Sequence, residues 1–273
     1  MEYVELNNGV VMPVLGYGTY LTPRRVTQRH VADALDAGYR LIDTAQNYGN
    51  EREVGAAVRA SGLGREEIFM TSKTQTSGYR STRAGIEDSL AAAGLDYFDL
   101  MIIHWPNADS RGTYRALEEA YRTGQLRAIG LSNFNRKQVL EIIDTADVVP
   151  AVDQIETHLY WQQWGMHDFL TSHGIVHESW SPLGEGQSGM LRDPVLVRIG
   201  RTHGKSPAQV LLRFLTQNRI VSIPKSLNPE HIRENLNIFD FRLSDEELGA
   251  IRAQDAKRSQ SGWPAAMSTE EHY

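Results

Sequence analysis

The chain has 273 residues, a net charge of −6, no cysteine, and 41% apolar and 23% charged residues. That length suffices for one large core and suits an α/β barrel filling residues 1–273 as a single domain. The acidic balance speaks against a nucleic-acid surface, and the lack of cysteine excludes disulfides and thiolate metal sites. No apolar run reaches bilayer length and MEYVELNNGV has no secretory pattern, so a cytoplasmic protein away from membranes is expected.

Residues 3–12 read as a hairpin around Asn7-Asn8-Gly9. Candidate strands follow over 14–17, 40–43, 68–72, 98–104, 127–132, 152–155, 176–180 and 220–223. Helical patterns lie between them. Val31, Ala34 and Leu35 share a face that Gly38 closes, and Ile86, Leu90 and Ala93 share another that Gly94 closes. Asn135 with Gln138, Ser206-Pro207 with Gln209, and Ser244 with Glu247 have the form of helix starts. Eight strands alternating with helices predict a parallel sheet closed into a (β/α)8 TIM barrel, with the hairpin at its N-terminus. Residues 182–192 read as the most flexible internal loop and residues 255–273 as a polar tail.

Barrel chemistry sits at the C-terminal ends of the strands. Asp43 ends the second strand, where a buried carboxylate needs a partner, and Lys73 ends the third and can be that cation. Tyr48 follows Asp43 in a polar turn; its phenol, with a free pKa of about 10, becomes a useful proton donor only if something makes it more acidic. His104, Ser132-Asn133, Asp153-Gln154, Trp180-Ser181 and Pro224-Lys225-Ser226 occupy the other ends. Taken singly each has a structural reading: an ion pair, a satisfied rim histidine, a turn, a core indole. Gly16-x-Gly18 lacks the third glycine of a dinucleotide fingerprint, and His158, His173 and His177 form no metallohydrolase pattern, so no metal is expected.

Together these motifs resemble the aldo-keto reductase family: GYRLIDTAQNYGNE, MTSK, MIIHWP, IGLSNF, DQIETH, SWSPLG and IPKSLNPEHIRENL, in that order over nearly the whole chain. The likeness extends to bacterial members similar to 2,5-diketo-D-gluconate reductase. The resemblance implies NADPH, with NADH as a second cofactor, bound without a Rossmann fold, and a monomer that reduces a small-molecule carbonyl. It implies Tyr48 as proton donor, Lys73 and Asp43 as the pair that lowers its pKa, and His104 as the group that orients the carbonyl. Ser132, Asn133 and Gln154 would hydrogen-bond the nicotinamide carboxamide, Trp180 would stack on the ring, and Thr19 and Asp43 would also contact the cofactor. Ser181, Pro182, Leu183 and Gly184 would line the pyrophosphate. Pro224, Lys225, Ser226, Leu227, His231, Glu234 and Asn235 would hold the adenosine. Tyr20, Gln46, Trp105 and the tail with Trp263 would shape the substrate pocket, beside Tyr48 and His104.

The chain departs from the family pattern at several places. Asp153 replaces a common Asn, adding a negative charge beside the cofactor, and Thr74-Gln75 replaces an aromatic residue, giving a more polar pocket wall. His158-Leu159 replaces a usual His-Pro, a short segment after His104 leaves the pocket open, and His231 stands where NADPH-preferring relatives usually carry Arg. Two other readings stay open: a non-catalytic cofactor-binding regulatory barrel, and an aldolase-type enzyme forming a Schiff base on Lys73.

Overall fold

The structure is a computed structural model that describes residues 1–186 and 189–260. An antiparallel hairpin, β1 (Tyr3–Glu5) with β2 (Val11–Pro13), precedes alternating strands and helices. The first half of the barrel contains β3 (Tyr17–Gly18), α1 (Arg24–Ala37), β4 (Leu41–Asp43), α2 (Glu51–Ala60), β5 (Phe69–Thr74), α3 (Tyr79–Ala93), β6 (Leu100–Ile103) and α4 (Ser110–Arg122). The second half continues with β7 (Ile129–Ser132), α5 (Arg136–Ile143), β8 (Val152–Glu156), α6 (Trp164–Ser172) and β9 (Val176–Trp180). It ends with α7 (Pro194–His203), α8 (Pro207–Gln217), β10 (Val221–Ser222), α9 (Pro229–Leu236) and α10 (Asp245–Arg252).

The strands from β3 to β10 pair in parallel in chain order. The first strand is shorter than expected, because closure runs through a few bonds at its edge. Leu15 bridges Ser222, Gly16 N donates to Ser222 O at 2.8 Å, and Gly18 N donates to Pro224 O at 3.0 Å. Local chemistry sets the helix ends. Gly38 takes a left-handed φ of 113° and its N–H reaches the last carbonyls of α1. Asn135–Gln138, Ser206–Gln209 and Ser244–Glu247 form reciprocal capping boxes at the starts of α5, α8 and α10.

Period-two alternation divides each barrel strand between two environments. Ile42, Met70, Met101, Ile103 and Ile155 face outward and pack with helix residues such as Val31, Ile86 and Leu117. Leu41, Phe69, Leu100, Ile102 and Val152 face inward and pack with Leu6 and Met12 of the hairpin region. The inner core is therefore apolar at the hairpin end. Two residues further along the strands, and four beyond Phe69 on β5, the same inner face carries Asp43, Lys73, His104, Gln154 and Glu178. This switch along the barrel axis places the polar cluster.

Candidate active site

Lys73 is fully buried on the inner face of β5. Its Nζ donates to Asp43 Oδ1, to Thr44 O at 3.0 Å and to Tyr48 Oη at 3.3 Å, which uses all three ammonium hydrogens. Burial works to lower its pKa, but Asp43, Tyr48 and Glu178 together hold it above the ordinary lysine value. Asp43 Oδ2 accepts a further bond from Gln154 Nε2 at 3.0 Å.

Tyr48 ends a 3₁₀ turn, Gln46–Tyr48, that Gly49 closes with a left-handed φ of 66°. The ring is half-buried, and desolvation pushes its phenol up to about 12. Lys73 pulls that value down, while Asp43 and Tyr20 push it up. Of the pair expected to lower it, the lysine pulls the phenol down and the aspartate acts through its hold on the lysine, while burial outweighs both in the resting site. The consequence is a phenol that keeps its proton at neutral pH.

His104 lies edge-on to Tyr48, with ring centroids 5.7 Å apart. Burial first and the Lys73 charge second lower its pKa to about 3, so the imidazole is neutral. Its buried Nδ1 has no hydrogen-bond partner. Tyr20 stands 5.1 Å from Tyr48 and Trp105 lies 6.4 Å from His104, so the four rings expected around a substrate line one cavity of about 790 Å³.

The cavity continues as a groove past Ser132, Asn133, Gln154 and Trp180, along Ser181, Pro182 and Leu183, to Pro224, Lys225, Ser226, His231, Glu234 and Asn235. Asn133 takes a left-handed φ of 64°, and its amide is committed to protein partners. Nδ2 donates to His104 O and Ser132 Oγ, and Oδ1 accepts from Trp180 Nε1 at 2.8 Å. That last bond pins the edge of the indole. Ser181, with a φ of 54°, turns the chain sharply after β9. At the far end Asn228 caps α9, and Ser226 Oγ accepts from Asn228 N at 3.1 Å.

Some expected residues stand back. Thr19 is buried and bonds Asp43 O, and Gly184 and Leu227 do not line the cavity. Gln46 is a tie rather than a pocket wall: Nε2 donates to Gly85 O and Ser89 Oγ, and Oε1 accepts from Gln75 N. Thr74 and Gln75 are likewise absent from the lining. Asp153 faces outward, between the inward Val152 and Gln154, and burial holds its carboxyl well above the usual range, so it brings no charge to the cavity. Trp263 and Gln187-Ser188 lie outside the described residues.

Unexpected lining comes from Asn47, Leu191, and Ser206 and Ala208 at the start of α8. Glu178 was also missed, although its place two residues before Trp180 on β9 marks it as inward-facing. Among the described residues no group of three His, Cys, Asp or Glu side chains could hold a metal, and no helix is long and apolar enough to cross a membrane.

A parallel barrel with this rim has the architecture of an oxidoreductase class that works without a Rossmann domain. The profile of the aldo/keto reductase family matches residues 14–256, which span all eight barrel strands, and the chain belongs to that family. It is 43% identical to morphine 6-dehydrogenase of Pseudomonas putida, over 92% of this chain and 90% of that protein. It is 44% identical to glyoxal reductase of Bacillus subtilis, over 92% of each. A crystal structure of an aldo-keto reductase from a Medee basin deep-sea metagenome library superposes with a TM-score of 0.92 at 39% identity, covering 94% of this chain and 96% of that one.

Proposed function

We propose that this protein reduces an aldehyde or ketone to the alcohol with NADPH, and that Tyr48 delivers the proton. The observation that carries the reading is the contact of a fully charged, buried Lys73 with the phenol oxygen that opens on the cavity beside a neutral His104.

The groove fits a nicotinamide dinucleotide in its donor set. Side-chain amides and a hydroxyl lie at the inner end and an indole face beside them, while Lys225, His231 and the α9 N-terminus lie at the outer end, where a phosphate is favoured. When bound, the cofactor supplies the hydride. The protein's own part is acid catalysis and positioning. Tyr48 Oη gives its proton to the carbonyl oxygen as negative charge develops there. The Lys73 ammonium, 3.3 Å away, stabilises the tyrosinate that forms, so its effect is larger late in the transfer than in the resting phenol. Asp43 holds the lysine in place and balances its charge. A neutral His104 can donate one N–H to the same oxygen and so orient the carbonyl.

The same geometry disfavours the two other readings. A Schiff base needs a neutral, free amine, and Lys73 is held as an ammonium with every hydrogen engaged. A purely regulatory barrel has no use for the complete Asp43, Tyr48, Lys73 and His104 set. For the substrate, small carbonyls come first. The relative named glyoxal reductase supports dicarbonyls. The test is NADPH oxidation followed at its absorbance band with aldehydes, keto-sugars, ketoesters and dicarbonyls. Turnover with at least one class is expected, and NADPH binding without turnover on any would favour the regulatory reading.

A further inference from the structure

Glu178 is wholly buried on the inner face of β9, and the reaction above does not use it. Its Oε2 accepts a 3.0 Å hydrogen bond from Gln154 Nε2, and the same nitrogen donates to Asp43 Oδ2 at 3.0 Å. A glutamine amide nitrogen carries two hydrogens, so both are spent on carboxyl oxygens. Turning the amide over would set its carbonyl oxygen against the Asp43 carboxylate. The network itself therefore assigns the orientation. The polar atom left over, Oε1, is the one Gln154 offers to the cavity it lines. Ser132 repeats the pattern: its Oγ donates to Gln154 O at 2.7 Å and accepts from Asn133 Nδ2 at 2.9 Å, so only acceptor capacity remains. The inner end of the groove is a wall of acceptors.

On the reading that this end takes the nicotinamide, we propose that Glu178 is a positioning residue. It keeps the Gln154 carbonyl turned to the cavity as an acceptor for the cofactor's carboxamide N–H, so that the site selects a primary amide over a ring substituent without N–H. The arrangement tolerates protonation. Burial and the nearby Asp43 push the Glu178 carboxyl up to about 8, and its Oε1, which has no partner, can carry the proton while Oε2 still accepts.

The test compares the dissociation constants of NADP⁺ and its 3-acetylpyridine analogue, which has an acetyl group for the carboxamide. Binding of 2′,5′-ADP serves as the reference for the adenosine end. Glu178→Gln keeps a carbonyl acceptor and removes the charge; Glu178→Met keeps volume and removes the acceptor. Glu178→Thr, too short to reach Gln154, replaces the methionine variant if thermal melting shows that it does not fold. The native protein should prefer NADP⁺ by about tenfold, the effect of one lost hydrogen bond and its orphaned acceptor. The glutamine variant should keep that ratio, the methionine variant should reduce it to about twofold or less, and 2′,5′-ADP should bind all of them alike. An unchanged ratio in the methionine variant, or an equal loss in both, overturns the role of Glu178. Failure of the native protein to bind NADP⁺ or 2′,5′-ADP would remove the cofactor reading itself, and this proposal with it.

Discussion

At the residue scale, Tyr48 and Lys73 can be separated by experiment because they contribute to different states. Tyr48→Phe keeps the ring contacts with Tyr20 and His104 and loses only the phenol oxygen. Carbonyl reduction should fall by roughly 10²–10⁴-fold with NADPH affinity unchanged. Near-native single-turnover rates in this variant would take Tyr48 out of the mechanism. Lys73→Met should be slow as well, and it should also be unstable. It leaves the Asp43 carboxylate buried without its cation, a change that costs about 3–5 kcal/mol. Urea denaturation should show that loss in Lys73→Met and not in Tyr48→Phe, and Asp43→Asn added to Lys73→Met should recover part of it. If the double variant is no more stable than Lys73→Met, the aspartate is not the stranded charge. Trp180 offers a third handle, because it lines the cavity and its Nε1 bond to Asn133 pins the indole edge. NADPH should quench its fluorescence, and Trp180→Ala should weaken NADPH binding; equal affinity in that variant would mean that the ring does not touch the cofactor.

At the element scale, the proposed cofactor reading puts discrimination between NADPH and NADH at α9. Lys225 and His231 are both exposed beside its N-terminus, and His231 cannot form the two-pronged contact of an arginine. NADPH should be preferred over NADH by a small margin, since the lost charged contact corresponds to about 1.5–3 kcal/mol, or one to two powers of ten. His231→Arg should widen it at pH 8. A large preference at pH 8 that His231→Arg leaves unchanged would assign the phosphate to other groups. Elements of this kind were legible in the sequence where a local rule governs them. The caps at Asn135, Ser206 and Ser244, the closure at Gly38 and seven of the eight strand positions follow from short-range chemistry. The shortened first strand was not legible, because barrel closure depends on Ser222 and Pro224, some 200 residues away. Gln46 was misplaced for the same reason: its partners Gly85 and Ser89 come from α3, and nothing near position 46 announces them. The polar cluster itself was legible as strand ends, whereas the role of Glu178 appears only once Gln154 and Asp43 are set beside it.

At the scale of the whole molecule, the barrel buries ionisable groups after β6 and on β8 and β9, and they narrow the pH range of stability from both directions. His104 and His177 are held neutral by burial, helped by Lys73 and His167 respectively. An unfolded histidine binds a proton near pH 6.5, so the stability these two leave intact above that pH is lost as pH falls, down to about 3 for His104. Asp153 acts at the other end. Burial holds its carboxyl well above the usual range, and a backbone hydrogen bond from Phe134 pulls the other way. His177, opposite it in the β8–β9 register, supplies no cation because it is itself neutral. Unfolded aspartate ionises near pH 3.9, so below that value both states are protonated and burial of the acid adds no pH-dependent cost. As pH rises the unfolded chain releases a proton that the folded one keeps. Stability then falls by up to about 1.4 kcal/mol per pH unit until the folded carboxyl ionises in turn. Asp153→Asn removes this linkage with little change in shape. Urea denaturation at pH 5 and pH 8 should show the asparagine variant gaining on the native protein as pH rises, by at most about 4 kcal/mol over that range. NADPH binding should be unaffected, because position 153 faces the helices and not the groove. Parallel pH dependence in the two proteins would show that the folded Asp153 carboxyl is already ionised.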